Sequence, residues 1–488
     1  MSRRSRRQFL EDSMFAVAAA AGASSASQLL AEETEAASSS PNEKLSVAII
    51  GINGRGRSHR DAFLNRDDCE ITHICDADAS VGERQADAVA ERQGRRPAFV
   101  QDIRKLLEDK SIDIVTIATP NHWHALAAIW AMQAGKDVYC EKPVSHNVLE
   151  GRVIVDVARK TGKICQTGTQ CRSNPGMRDA MAFIHDGGIG NVSVGRGLCY
   201  KRRPSIGDAG NFDPPSTVDY SLWSGPAPLE PVTRPKFHYD WHWQFLYGNG
   251  DLGNQGIHQM DLARWGLGVN QLSQSVISYG GRFGYVDAGN TANTQVVIHD
   301  YGDKTLVFEV RGLETKNYKG ANVGVIFEGS DGYLVMTSYS DGAAFDKDGN
   351  TIRKFSGGGD HHHYANFVKA VRSRNSQDLN ADILEGHLSS ALCHLGNISY
   401  QMGETVSNDE AVERLQAMRS SDDVKATMDR VVEHLTENNV DLSASPFRMG
   451  ALLPFNPETE TFVDNATADT MLTREYRAPF VVPARSQV

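Results

Sequence analysis

Two stretches of this chain carry residues with chemistry to offer. The first is Asp137-Val138-Tyr139-Cys140-Glu141-Lys142-Pro143, an apolar run that stops at an acid, a base and a proline. Proline cannot donate to a sheet ladder and turns the residue before it away from helix. Residues 138–140 therefore read as a buried strand, with Glu141 and Lys142 just past its carboxyl end. In an open parallel α/β sheet that edge is where ligands bind. An ammonium there can hydrogen-bond a substrate hydroxyl and hold charge beside the reacting carbon; an ordinary ion pair with Glu141 is the bland alternative. The second stretch runs from Gly250 to Asp261. With a helix starting near Gly253, Asn254, His258 and Asp261 share one face, and Ile257 and Met260 form the packing stripe beside it. An imidazole there suits removal of a hydroxyl proton, or it is a core histidine. Trp241, Trp243, Phe245 and Tyr247 crowd the approach; aromatic faces stack on sugar rings, so a saccharide subsite and plain core packing both stand.

The elements that must position these residues alternate. A strand over 45–50 leads into Gly51-Ile52-Asn53-Gly54-Arg55-Gly56, a variant of the dinucleotide loop G-x-G-x-x-G. Asn53 takes the second glycine position; asparagine tolerates a left-handed backbone, so the turn is expected to survive with a changed shape. A helix over 58–65 follows, then a strand over 69–75 that ends at Asp76. An acid at that spacing accepts hydrogen bonds from ribose hydroxyls and repels a 2′-phosphate, and Asp78 adds charge, which favours NAD over NADP. A helix over 81–93, a helix over 103–107 and a strand over 112–118 lead to Thr119-Pro120-Asn121-His122-Trp123-His124. Thr119, Asn121 and His124 then lie at a strand-to-helix turn facing the cofactor, although His124 can equally pack on the loop. A helix over 125–134, the Glu141-Lys142 strand, a helix over 149–161 and a strand over 163–167 complete a doubly wound parallel sheet. The Gly168-Thr169-Gln170-Cys171-Arg172 segment leaves that domain.

Together the glycine loop, Asp76, Thr119-Pro120-Asn121…His124 and Ala134-Gly135-Lys136-Asp137-Val138-Tyr139-Cys140-Glu141-Lys142-Pro143 resemble the Gfo/Idh/MocA (glucose–fructose oxidoreductase/inositol dehydrogenase) family, over residues 44–403. The resemblance implies an α/β fold: an N-terminal Rossmann domain over 44–167 and a C-terminal α+β domain on a largely antiparallel sheet over 168–403. One face of that sheet is expected to serve self-association as a dimer or tetramer. Strands are expected at 192–201, 273–280, 291–299, 304–311, 323–328 and 332–336. The family's D-x-G-x-H pattern places an acid and a histidine beside the lysine; here Gly256 and His258 remain but Asn254 stands at the acid. Asn254 can position a hydroxyl or the imidazole without raising its basicity. The implied catalytic residues are Lys142, His258 and Asn254. The implied cofactor contacts are Gly51, Asn53, Gly54, Arg55, Gly56, Asp76, Thr119, Asn121, His124, Glu141, Lys142 and Gln170. The implied activity is an NAD(P)-dependent oxidoreductase acting on a sugar, glycoside or cyclic polyol. The alternative is an NAD-dependent glycoside hydrolase working by transient oxidation, elimination and re-reduction, and a carbohydrate-binding protein with vestigial NAD is a third possibility.

Composition narrows the partners. With 488 residues and a net charge of −11, nucleic acid and anionic membrane are poor partners. Seven scattered cysteines without a C-x-x-C read as buried free thiols. Asp360-His361-His362-His363 precedes a helical pattern, so Asp360 reads as its cap and no metal is expected. Lys201-Arg202-Arg203 reads as a solvated turn or as a site for an acidic sugar. Ser5-Arg6-Arg7-Gln8-Phe9-Leu10 fits the twin-arginine export pattern, and the weakly apolar segment after it is too short for a membrane anchor. A signal over 1–31 and a linker over 32–43 are thus expected, with an exported, periplasmic protein and the twin-arginine machinery as a partner. Residues 404–488 form an extension whose apolar residues around 480–483 are expected to pack back on the body.

Overall fold

A computed structural model describes residues 44–488; the expected export signal and linker lie outside these residues. The chain opens with β1 (Leu45–Ile50), α1 (Gly56–Leu64), β2 (Cys69–Cys75), α2 (Ala79–Gln93), β3 (Ala98–Val100), α3 (Ile103–Leu106), β4 (Ile114–Ile117), α4 (Asn121–Gln133), β5 (Asp137–Cys140), α5 (Val148–Thr161) and β6 (Cys165–Thr167). Their strands form a six-stranded sheet in the order β3-β2-β1-β4-β5-β6, parallel throughout. The order reverses between β1 and β4, and the crevice beyond the strand ends at that point is where such sheets take ligands. The strands read as nearly continuous apolar runs because both faces are covered. β4 and β5 are buried at every position.

One of those faces is completed from far away in the sequence. Helix α4 covers it with Leu126 and Ile129, and Phe480 and Val482 of the carboxyl-terminal tail pack into the same core. Phe480 meets Trp123 and Trp130 ring to ring. The opposite face buries Val47, Ile49 and Ile71 against Phe367, Val368 and Val371. Those three residues belong to a helix over Asp360–Ser373, which the sequence pattern groups with the second domain.

The second half continues with α6 (Pro175–His185), β7 (Val192–Tyr200), α7 (Tyr220–Ser224), α8 (Gly250–Asn254), α9 (Gly256–Leu267), β8 (Ser275–Gly281), β9 (Thr294–Asp300), β10 (Thr305–Arg311), β11 (Val323–Gly329), β12 (Gly332–Met336), β13 (Gly342–Asp346) and β14 (Thr351–Phe355). After α10 (Asp360–Ser373) come α11 (Ile383–Gln401), β15 (Glu404–Val406), α12 (Asn408–Gln416), α13 (Val424–Glu437), β16 (Phe447–Met449), β17 (Leu453–Asn456), β18 (Thr461–Phe462) and α14 (Ala466–Thr470). Strands β7 to β18 form a second sheet, antiparallel except where β10 runs parallel to β7. Successive residues of its strands alternate between two cores. Val297, Leu306 and Phe308 face α9 and α11, whereas Val296, Ile298 and Val307 face Leu415, Val431 and Leu435 of α12 and α13.

Both faces of the central strands are therefore covered by helices of the same chain, so the face expected to pair with a second copy is largely occupied. Its outer strands carry Tyr333 and Phe345, and the loop before β11 carries Tyr318; all three are half-buried. Beneath α13, Glu309 is fully buried and accepts hydrogen bonds from Arg196 at 2.6 Å, Arg430 at 2.7 Å, Arg311 at 2.9 Å and the Tyr200 hydroxyl at 2.7 Å. Burial alone would push the Glu309 carboxyl up; Arg196 and its neighbours override it and hold the group far below the usual carboxylate range.

Four other features sharpen the sequence reading. Asp360 does not cap α10: Gly359 holds the cap position, and Asp360 is the first helical residue. His363 is buried, with Nδ1 against the Ser173 hydroxyl at 2.6 Å and Nε2 against the Thr167 carbonyl at 2.8 Å. Among the described residues no helix is long and apolar enough to cross a membrane, and all seven cysteines are buried and unpaired.

Replacing Glu309 with glutamine takes from Arg311 and Arg430 the buried carboxylate they share, and leaves Arg196 with Asp422 alone. The expected loss is about 3–5 kcal/mol, the cost of leaving a buried charge without its partner, read by urea denaturation. The native pKa lies below the unfolded one, so the wild-type contribution is complete above about pH 4.5 and drains as the pH falls. A loss under about 1 kcal/mol, typical of solvent-screened pairs, would contradict this account.

Candidate active site

The loop after β1 closes tightly against the sheet. Gly51 has φ +78°, and a Cβ on it would stand 2.7 Å from the Thr119 nitrogen. A Cβ on Gly56 would lie 1.9 Å from the Gly51 carbonyl oxygen, so α1 can start this close to β1 only with glycine at both positions. Asn53 does not adopt the left-handed conformation that its type allows; the left-handed step of the loop is made by Gly51. Gly54 differs from both, because a Cβ there meets nothing within 4 Å. It borders a cavity of about 710 Å³ that runs from Asp76 at the end of β2 past Thr119 and Asn121 to Lys142 and His258.

At the β2 end, the Asp76 carboxylate accepts the amides of Ile52 at 2.9 Å and Asp78 at 3.0 Å. It therefore shapes the loop as well as facing the cavity. Asp78 turns away from it, capping α2 and accepting from the Thr217 hydroxyl at 2.7 Å and His238 at 3.0 Å. Those contacts draw the segment between β7 and α8 over the nucleotide end of the cavity.

Glu141 organises the centre. It is 3 % exposed, and its Oε1 accepts from Arg55 Nε at 3.0 Å, His59 Nε2 at 3.2 Å and Gln170 Nε2 at 3.0 Å. Arg55 reaches on to Asp360 at 2.7 Å, which ties the glycine loop to α10. Burial would raise the Glu141 carboxyl, but Arg55, with His59 and Lys142, holds it well below its ordinary range. His124, expected to face the cofactor, has both ring nitrogens turned to main-chain carbonyls, Pro143 at 2.6 Å and Thr119 at 2.8 Å. It fastens the loops after β4 and β5 to each other.

Lys142 points across the cavity and donates to the Asn254 carbonyl oxygen at 2.6 Å. Burial draws its ammonium pKa down, and neighbouring Glu141 resists that shift. Asn254 thus meets the lysine through its main chain, and the residue, whose side chain was expected to position a hydroxyl or the imidazole, lines the same cavity. The expected helix is also broken: α8 ends at Asn254 and α9 begins at Gly256. His258 lies in the first turn of α9 and lines the cavity, with Nδ1 buried and without a partner. Burial, with Lys142 nearby, keeps its pKa well below the ordinary histidine value. Asp261 leaves this group altogether, held by Arg172 at 2.7 and 2.9 Å in the interior.

Of the four aromatic residues read as a saccharide subsite, Trp241 lines the cavity. Trp243 packs under Arg203, and Tyr247 is sealed in a core with Trp223. Arg203 is no solvated turn residue, because it holds Asp251 at 2.7 and 2.8 Å. The sequence reading gave no role to His59, Trp223, His238, His242 or Tyr339. His242 was visible inside Trp241-His242-Trp243; the others had no local motif to mark them.

A parallel sheet with its glycine loop, an acid at the end of β2 and a cavity reaching a lysine and a histidine from the second domain define an NAD-binding oxidoreductase of two-domain type. Family models agree: residues 45–169 match "Oxidoreductase family, NAD-binding Rossmann fold" and residues 208–432 match "Oxidoreductase family, C-terminal alpha/beta domain". The chain belongs to the Gfo/Idh/MocA oxidoreductase family and carries its NAD-binding Rossmann domain. It is similar to a glycosyl hydrolase family 109 protein of Saccharopolyspora erythraea, 33% identical over 160 residues, which are 32% of this chain and 35% of that protein. An alpha-N-acetylgalactosaminidase of Shewanella oneidensis is 35% identical over 127 residues, 25% of this chain and 28% of that one. These matches span about a third or less of the relatives' length. Among solved structures, the WlbA dehydrogenase of Bordetella pertussis, in complex with NADH and UDP-GlcNAcA, shares the fold at 19% identity, with a TM-score of 0.54 over 72% of this chain and 95% of that one.

The residues present fit the cofactor. Thr119 Oγ1 and Asn121 Oδ1 are buried on the cavity wall without partners, and Gly54 leaves the space a pyrophosphate needs at the start of α1. Gly54→Val should fill that space without straining the loop. The expected result is NAD affinity lowered by about tenfold or more, the effect of about 1.4 kcal/mol, in calorimetric titration. Thermal stability should stay within about 0.5 kcal/mol. Gly56→Ala should instead destabilise the fold. Unchanged NAD affinity in Gly54→Val would place the cofactor elsewhere.

Proposed function

We propose that this chain is an oxidoreductase acting on a hydroxyl-bearing carbon of a sugar, glycoside or cyclic polyol, with NAD held tightly. The reading is carried by one observation: Lys142 from the nucleotide half and His258 from the other half border the same cavity, which continues along the glycine loop. NAD, when bound, supplies a hydride acceptor. Lys142 spends one of its three N–H groups on the Asn254 carbonyl, which fixes its direction and leaves two for the substrate hydroxyl. Donation from an ammonium makes that hydroxyl more acidic. His258, kept neutral by burial, takes the hydroxyl proton as the carbon becomes a carbonyl. Its buried Nδ1 leaves Nε2 as the nitrogen presented to the cavity. Trp241 offers a ring on which the apolar face of a sugar can lie.

A second reading is favoured by the relatives named glycosyl hydrolase and alpha-N-acetylgalactosaminidase. In it the same oxidation is transient, and a glycosidic bond is broken before the hydride returns. The twin-arginine motif supports export of the folded protein with its cofactor aboard. An exported enzyme of this kind regenerates its nicotinamide within each turnover, by a second sugar or by returning the hydride.

Denaturing the purified protein should release NAD, and product analysis with sugars and glycosides separates net oxidation from bond cleavage. Lys142→Ala and His258→Ala should each lower turnover by about 10²–10⁴-fold with NAD binding retained; full turnover in either defeats the assignment. His258 titrates well below its ordinary value, so kcat/KM should stay level through about pH 6.5. A decline centred there would mean that His258 titrates like an exposed histidine.

A further inference from the structure

His242 lines the cavity, and the reaction above does not use it. It sits in the turn over Asp240–Trp243, stacked on Trp241 with ring centroids 3.6 Å apart and planes 21° from parallel. Its Nδ1 lies 2.5 Å from the Tyr239 carbonyl oxygen. A carbonyl only accepts, so Nδ1 carries the proton and donates it, and the lone pair of the neutral ring belongs to Nε2. Nε2 has no protein partner among the described residues, and the ring lines the same cavity as Lys142 and His258. Burial holds the ring neutral, with a pKa lowered to about 3. The two imidazoles thus differ: nothing in the protein fixes the tautomer of His258, whereas the tautomer of His242 is fixed with its basic nitrogen free. They also come from separate elements, the turn over Asp240–Trp243 and α9.

We propose that His242 is a second catalytic base, which takes the proton from the carbon next to the carbonyl once the sugar has been oxidised. The proposal rests on the sugar reading above. Oxidation makes that neighbouring C–H the acidic one. The C–H bond breaks, its electron pair forms a C=C bond, and the carbonyl becomes an enediolate oxygen facing the Lys142 ammonium. The proton rides on Nε2, and the developing negative charge raises the affinity of the ring for it as the transfer proceeds. The reverse step returns a proton to the carbon. In a glycoside oxidised two carbons from the anomeric centre, the enediolate instead expels the anomeric substituent. That C–O bond breaks with its electrons on oxygen, the imidazolium protonates the departing oxygen, and an alcohol and an unsaturated ketone remain. The ketone itself comes from hydride transfer to NAD.

Supplying the ketone separates this step from the oxidation. Methyl 3-ketoglucopyranoside in D₂O, followed by proton NMR with the full-length protein, should lose its C2 proton signal to exchange. His242→Asn keeps a side-chain N–H for Tyr239 and removes the base; the exchange rate should fall by about 10²–10⁴-fold while NAD affinity and hydride transfer persist. His258→Ala should show the converse, exchange without oxidation. Exchange at the wild-type rate in His242→Asn overturns the proposal, as does a wild-type protein that oxidises sugars yet exchanges no C2 proton. Absence of hydride transfer with every sugar defeats the underlying reading instead. Should His242→Asn fail to fold, nitrogen NMR of the ¹⁵N-histidine-labelled wild type decides. The His242 Nε2 resonance should shift on adding the keto-sugar, and an unmoved resonance overturns the proposal.

Discussion

A carboxylate with almost no access to water carries much of this architecture. Burying Glu141 is costly unless its charge is met by donors held in place. Those donors come from everywhere the site needs to be joined: Arg55 from the glycine loop, His59 from α1 and Gln170 from the segment leaving β6. Arg55 in turn grips Asp360 at the start of α10. Satisfying one acid therefore fixes the glycine loop, the exit from the first sheet and a helix contributed by the second half. It also decides where Lys142 stands, since the lysine is the next residue and crosses the cavity to α8. Loss of that charge would loosen the loop, the lysine and the domain junction together.

The second sheet shows a different economy. Most of its breadth is sandwiched between α9 and α11 on one side and α12 and α13 on the other, with the Glu309 cluster buried under α13. The chain spends its own extension on a surface that would otherwise lie bare. The side toward α9 is the one that matters to the chemistry, because α9 delivers His258 and its packing on Phe308 and Phe327 sets the depth of that histidine.

Much of the fold was legible because its signals are local. Apolar runs ending in glycine or proline marked the parallel strands, and Glu141-Lys142-Pro143 marked the strand end that matters. Strands β7 to β12 fell where β-branched runs placed them. β13 and β14 were not legible: Gly-Ala-Ala-Phe-Asp carries no alternation, and most of Thr351–Phe355 is exposed. The site was half legible for a related reason. Lys142, His258 and the glycine loop sit in motifs, but the contacts that assign their neighbours are long-range. The pairing of Arg172 with Asp261 spans 89 residues and that of Arg203 with Asp251 spans 48, so no spacing rule separates these structural acids from catalytic ones. The Asn254 main chain, which no sequence motif displays, is what Lys142 meets.

The core beneath α4 includes Phe480 and Val482, and the opposite face of the same sheet needs α10. On a ribosome, the nucleotide-binding half emerges first, yet two of its covering layers are still untranslated. Amino-terminal domains usually close during synthesis, and here α10 and the tail must arrive before this sheet has its complete cover. A truncated product lacking α10 would display part of the sheet face that the finished protein hides.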